Sequence, residues 1–411
     1  MMFLLPLFLI TADTLNLSLD DALKTAMEKS PTRIEAVLDA RTGTSKLVKG
    51  ITALLPTVGA SASYAATRHP YKTRTWIGSI GLNQVVFDID IFGNVVQSKL
   101  SNDFYHQKAE DENGNLIYNI KNGYFILSES YNLYEVAQAA LRNATESYNL
   151  MQEKFRLGQV SKIDLLRSEA FKSQTEIDLL TAEKNSKIAN EDFKGQLGII
   201  KDVVIRPITE FNQPAVLKIE DFDLLWNEVD RNNASLNMTR KTEQIAKINF
   251  IQAIGKIFPE VSYYIENDYS DSILPKNLTD WQAHDATSYG IRFNFPIFEL
   301  KSLIQNIYDT KLATRRAAVE RMKSELALRK TAMSAFLSFQ EARQRYDYAQ
   351  KNLELNQQLY DLAKEQFRLG SLSLLDLFNV ELNLSQARTT YITSIADTYT
   401  SKALLDYLLG R

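Results

Sequence analysis

The residues whose types and spacing can do chemistry in this chain are two carboxylates set in matching frames. Asp164 follows Gly158 by six residues and Ser161 by three, and Asp376 stands in the same relation to Gly370 and Ser373. Ser-x-x-Asp is the spacing at which a serine hydroxyl accepts a backbone N–H at the start of a helix while the acid reaches back. The first chemistry it supports is therefore the capping of two helices, by Ser161 and by Ser373. Just before the frames stand Phe155-Arg156-Leu157-Gly158 and Phe367-Arg368-Leu369-Gly370. In each, glycine can take the left-handed backbone that ends a helix, and arginine complements the negative end of the helix dipole.

Beyond these frames the chemical inventory is thin. The chain has no cysteine, which removes disulfides, zinc ribbons, thiol nucleophiles and a lipid-modified N-terminal cysteine. Its three histidines, His69, His106 and His284, have no second histidine or carboxylate at a recurring ligand spacing. There is no phosphate-binding loop, zinc-protease helix or nucleophile elbow. The expectation is a protein with no catalytic residue, no cofactor and no metal, and not an enzyme.

The frames belong to a duplication. From Glu153/Glu365 to Gly198/Gly410 every matched pair is separated by 212 positions, so no residue is inserted within the block. The match extends to the N-terminal parts, where Pro56 corresponds to Pro259. The expected organisation is a signal-peptide remnant over 1–12, a first repeat over 13–198, a linker or equatorial segment over 199–220, and a second repeat over 221–411. Residues Met1 to Ala12 read as the apolar part of a secretory signal that lacks the usual basic flank.

Each repeat begins with apolar residues at helical spacing, broken at Pro31 in the first and closed by Pro56 and Pro259. The period then changes to two, with Val58, Ala60, Ala62 and Tyr64 in one repeat and Tyr289, Ile291 and Phe293 in the other. One β-hairpin per repeat is expected, at about 57–86 and about 260–296. The second is longer by eight residues, assigned to a polar loop within 270–286 that holds Pro275 and Trp281. Trp76, Tyr64, Tyr263 and Tyr289 suit either a membrane aromatic belt or strand packing. After each hairpin comes a stretch without proline, from Phe87 to Arg206 and from Ile297 to the end. Such stretches imply a pair of long helices per repeat, turning at Gly158 and Gly370. A helix of about sixty residues would run about 90 Å and needs coiled-coil-like or barrel packing. Leu377, Val380, Leu384 and Ala387 form the expected inner stripe of the last helix.

Bulk composition narrows the options. Hydrophobic residues make up 45% of the 411, yet no run of about 18 apolar residues follows the N-terminus, so helices would not carry the chain through a membrane. The net charge of −3, from 47 basic and 50 acidic residues, supplies no field for nucleic acid. Four strands of about ten residues match a tilted outer-membrane barrel wall but cannot close a barrel. Either they form a soluble sheet, or several chains share one barrel, three giving twelve strands.

The paired repeats, the hairpin between helices, and Arg-Leu-Gly followed six residues later by Asp and then Leu resemble the TolC-type outer-membrane efflux proteins. That resemblance implies a mainly α fold with a small β part: a long-helix α-barrel protomer that contributes four strands to a trimeric twelve-stranded transmembrane β-barrel, plus a mixed equatorial region. It also implies a homotrimer in outer-membrane lipid, its helical barrel in the periplasm. Such a trimer is the passive exit duct of a tripartite efflux pump or type I secretion system, joined by a periplasmic adaptor to an inner-membrane pump or ABC transporter. Carried onto this sequence, Phe155, Arg156, Leu157, Gly158, Phe367, Arg368, Leu369 and Gly370 form the adaptor-contact turns. Asp164 and Asp376 lie at the periplasmic constriction, where three copies of Asp376 would form a cation-attracting ring. The sequence departs from the family at Asn379, where some members have a second Asp, and at Leu372, where some have an Arg that ties the closed state. The alternative reading is a periplasmic coiled-coil structural or adaptor protein with a soluble β-sheet.

Overall fold

The computed structural model describes residues 13–68, 70, 72–201, 203–209, 211, 213–217, 221–295 and 300–411. The expected signal remnant, His69 and the end of the second hairpin at Pro296 lie outside the described residues. In chain order the elements are β1 (Asp13–Leu17), α1 (Leu19–Lys29), α2 (Pro31–Thr52), β2 (Thr57–Thr67), β3 (Thr73–Phe87), α3 (Ile89–Arg156), α4 (Lys162–Leu197) and β4 (Val203–Pro207). There follow α5 (Phe222–Asn232), α6 (Ala234–Gly255), β5 (Glu260–Asp271), α7 (Leu278–Gln282), β6 (Asp285–Asn294), α8 (Leu300–Arg368) and α9 (Leu374–Leu408). The long helices α3 and α8 hold 68 and 69 residues and occupy the stretches without proline. The chain divides into two compact units, each of which draws segments from both repeats.

The unit formed by 37–109 and 234–326 carries the sheet, in the antiparallel order β2-β3-β5-β6. Its register sets Val58 opposite Leu82, Leu82 opposite Ile265, and Ile265 opposite Tyr289, which gathers the apolar alternation of all four strands on one face. The other face is polar: Ser61 pairs with Ser79, Ser79 with Asp268, and Arg292 reaches Glu266 at 3.6 Å. The eight extra residues of the second hairpin are not a free loop. The connection folds back through the five-residue α7 onto the apolar face, where Trp281 stacks on Tyr269 with ring centroids 5.1 Å apart and donates through Nε1 to Asn267. Gly78 makes room for that ring, since a Cβ there would stand 2.5 Å from it. Beside the sheet, α6 closes on the start of α3: Gln252 donates from one Nε2 to the Asp90 carbonyl and the Asn94 side chain, both at 3.0 Å.

Among its described residues, the unit formed by 1–36, 110–233 and 327–411 is almost wholly helical. The parallel pair β1 and β4 is the part that periodicity missed, because five residues each are too short to show alternation. One core cluster joins Ile120, Tyr124 and Leu127 of α3 to Phe193 and Leu197 of α4 and Ile205 of β4. The buried Tyr124 hydroxyl donates to the Leu17 carbonyl at 2.9 Å and accepts the Thr209 N–H at 3.0 Å, so it stitches the small sheet to the helices. A second cluster packs Leu225 and Val229 of α5 against Phe336 and Phe339 of α8 and Leu405 of α9. The third lies at the two glycine turns.

Candidate functional site

The two turns are built by one device. Gly158 and Gly370 have φ of 72° and 79°, the left-handed region that an L side chain rarely enters. At the first, the Gln159 N–H reaches back to the Lys154 carbonyl (2.8 Å) and the Gly158 N–H to Phe155 (2.9 Å). The second repeats this with Ser371 to Gln366 (2.9 Å) and Gly370 to Phe367 (3.1 Å). These paired bonds satisfy the last carbonyls of α3 and α8 and stop the helices at the glycines.

The chain then re-enters helix at the serines. The Ser161 hydroxyl accepts the Asp164 N–H at 3.1 Å and donates to the Asp164 carboxylate at 2.7 Å; Ser373 and Asp376 make the same two bonds at the same distances. Asp164 and Asp376 each serve the cap while remaining within reach of solvent. Arg156 bonds Glu153 (3.1 Å) and Arg368 bonds Glu365 (2.5 Å), one turn back on the same helix. The Arg368 guanidinium holds the Glu365 carboxyl below its ordinary range.

Between the turns, side chains of both repeats meet. Met151 of α3, Leu165 of α4, and Leu374 and Phe378 of α9 form a buried cluster, and Phe171 stacks on Phe378 with centroids 4.2 Å apart and planes 9° from parallel. Phe367 packs against that cluster, under the Lys154 ammonium at 5.2 Å. Leu157 and Leu369 stay 62% and 67% exposed, and Phe155 and the two arginines also face outward. Asp376 and Asn379 are exposed on α9, and Leu372 is half-buried before it. The arrangement is a pair of rigid knuckles, each presenting a leucine and an arginine, with a carboxylate one turn into the following helix. Among the described residues no cluster of histidine and carboxylate side chains could hold a metal.

One residue here escapes sequence reasoning. The buried stripe of α9 runs Leu374, Leu377, Glu381, Leu384 and Ala387, so the inner position expected for Val380 is held by Glu381. Its repeat counterpart Glu169 is exposed. The available signal was a carboxylate four residues after Leu377 and three before Leu384, in phase with the apolar residues.

The outer membrane efflux protein family model matches residues 32–198 and 225–411. The chain belongs to that family. Curated relatives of this efflux protein are distant. Nodulation protein T of Rhizobium leguminosarum bv. trifolii is 22% identical over 284 residues, 67% of this chain and 58% of that protein, so the match spans less than two thirds of the relative. Alkaline protease secretion protein AprF of Pseudomonas aeruginosa is 22% identical over 340 residues, 78% of this chain and 68% of that protein. The fold is that of solved outer-membrane channels. The Campylobacter jejuni CmeC channel superposes with a TM-score of 0.82 at 18% identity, covering 95% of this chain and 85% of that one. Vibrio cholerae VceC does so with 0.81 at 14% identity, covering 95% and 96%. This mainly helical efflux protein, with its long-helix pairs and small sheet, therefore carries the architecture the sequence pattern implied.

Proposed function

We propose that this efflux protein is a homotrimeric exit duct in the outer membrane, a passive conduit of a tripartite efflux pump or a type I secretion system. The carrying observation is the sheet. It is four antiparallel strands with one apolar and one polar face, and β2 and β6 at its ends each have a single partner strand. Such edges expose unpaired backbone groups, which lipid does not tolerate. Three copies joined edge to edge give twelve strands and no free edge, with the apolar face toward lipid and the polar face toward a lumen. Helices do not compete for that role, since among the described residues none is long and apolar enough to cross a membrane.

The knuckles at Gly158 and Gly370 are the docking points for a periplasmic adaptor that links the duct to an inner-membrane pump or ABC transporter. Exposed Leu157 and Leu369 supply apolar contacts there, and Arg156 and Arg368 supply directed charge. Asp376, with Asp164, Leu372 and Asn379 nearby, lines the constriction that the adaptor opens. With leucine at 372 and asparagine at 379, the gate has one carboxylate ring and no arginine tie at that position. The domain scheme that goes with this reading is two repeats, 13–198 and 221–411, joined by an equatorial 199–220. The test is extraction of the outer membrane in detergent, with assay for heat-resistant trimers and for conductance in planar bilayers. A monomer in the soluble periplasmic fraction would instead mean a coiled-coil protein with a soluble sheet.

A further inference from the structure

Glu381 is a carboxylate placed where the fold provides for none. It is 5% exposed, and its Oε1 is shut off from solvent with no hydrogen-bond partner. The Asn143 side chain of α3 is a donor toward it. A cavity of about 500 Å³ opens beside it, walled by α3, α8 and α9 and reaching the Phe367-Arg368 knuckle. Glu381 also lines a second cavity of about 530 Å³, together with residues of α3 and α4.

The charges around it offset it only in part. From α3 come Glu146 and Lys154, with Glu129 in the second cavity; from α8 come Tyr360, Asp361, Lys364, Glu365 and Arg368; from α4 comes Asp178; from α9 itself comes Arg388. The four basic groups are engaged elsewhere. Arg368 is bonded to Glu365, and Arg388 donates to Gln357 at 2.8 Å. Lys154 stands over the Phe367 ring, and Lys364 over the Tyr360 ring at 5.9 Å. Desolvation of an ionised carboxylate is costly unless it is paired, so the closed packing favours the neutral form. Burial, the largest cause, pushes the carboxyl up to about 7, against opposing contributions from Asn143, Lys364 and Arg388.

We propose that Glu381 is a proton-binding site at the junction of α3, α8 and α9, and that loss of its proton loosens α9 from the two other helices. Between the ordinary glutamate value of 4.5 and about 7 the packed state holds a proton that the loosened state releases, so rising pH favours loosening across that window. Below the window both states are neutral at this site, and above it the effect is level. Lys364 or solvent can then reach the freed carboxylate. This consequence bears on the duct reading because α9 also carries Asp376; the titration itself does not depend on that reading.

The test uses the full-length protein in detergent, wild type and Glu381→Gln, from about pH 5 to about pH 9. Infrared difference spectra should show a protonated-carboxyl band that disappears with a midpoint near 7 in wild type and is missing in Glu381→Gln. Hydrogen exchange of residues 374–388, corrected for intrinsic rates, should quicken about tenfold per pH unit up to that midpoint and then level off. In Glu381→Gln it should be flat and slow. Asn143→Ala removes a donor to the carboxylate and should move the midpoint upward. A band and slope that persist in Glu381→Gln would overturn the assignment, and so would a wild type whose exchange ignores pH. Bilayer conductance, read in parallel, separates the two ideas: absence of channels from wild type counts against the duct and not against the titration.

Discussion

Asp376 is held in place by Ser373, whose hydroxyl binds both its N–H and its carboxylate, yet its side chain remains exposed. That combination suits a charge that must sit at a fixed point without being neutralised. If three copies ring a constriction, Asp376→Ala should abolish most of the block of conductance by multivalent cations, while Asp164→Ala should change it less; bilayer recordings check this. Removing the cap alone is a different perturbation. Ser373→Ala should cost about 1 kcal/mol of helix stability, read by denaturant unfolding of the helical signal, and should leave the charge in place. Gly370→Ala forces an L side chain to a φ of 79° and should cost about 1–2 kcal/mol. Its effect should exceed that of Gly195→Ala, where an added Cβ meets nothing and φ is ordinary.

At the scale of elements, the joint between the helix pairs depends on Phe378, buried among Met151, Leu165 and Leu374 and stacked on Phe171. Truncation to alanine should cost about 3–5 kcal/mol, seen as faster hydrogen exchange at the ends of α4 and α9, whereas Leu375→Ala on the exposed side should be near neutral. This joint shows what the sequence could and could not disclose. The turns were legible because glycine, serine and aspartate each answer to a local rule, and those rules recur 212 residues apart. The strands of the four-stranded sheet were legible because period two survives in them, whereas β1 and β4 were too short to show it. Burial was not legible where it depends on what lies across the interface. Glu169 and Glu381 occupy equivalent positions in the matching frames of the two repeats, yet one faces out and the other is enclosed by α3 and α8. The fold-back of α7 was hidden for the same reason, since only the register of β3 against β5 brings Gly78 beneath Trp281.

For the whole molecule, duplication and compactness divide the chain differently. The repeats follow one another in sequence, but each compact unit takes part of both, so the sheet draws one hairpin from each copy. A duplicated hairpin doubles the strands without removing the edges, and the edges at β2 and β6 are what make association necessary in lipid. The faces of β6 provide a direct check on this argument. Tyr289, Ile291 and Phe293 share the apolar face, whereas Ser288 and Arg292 share the polar one. Ile291→Lys would place a charge against hydrocarbon near mid-strand, at a cost of about 2–4 kcal/mol per chain, repeated in every copy of a trimer. Ser288→Lys would face the water-filled interior and cost far less. The first should deplete heat-resistant trimers from the outer-membrane fraction, and the second should leave them intact while changing ion selectivity. Equal tolerance of both would mean that neither face meets lipid, and the sheet would have to be a soluble one.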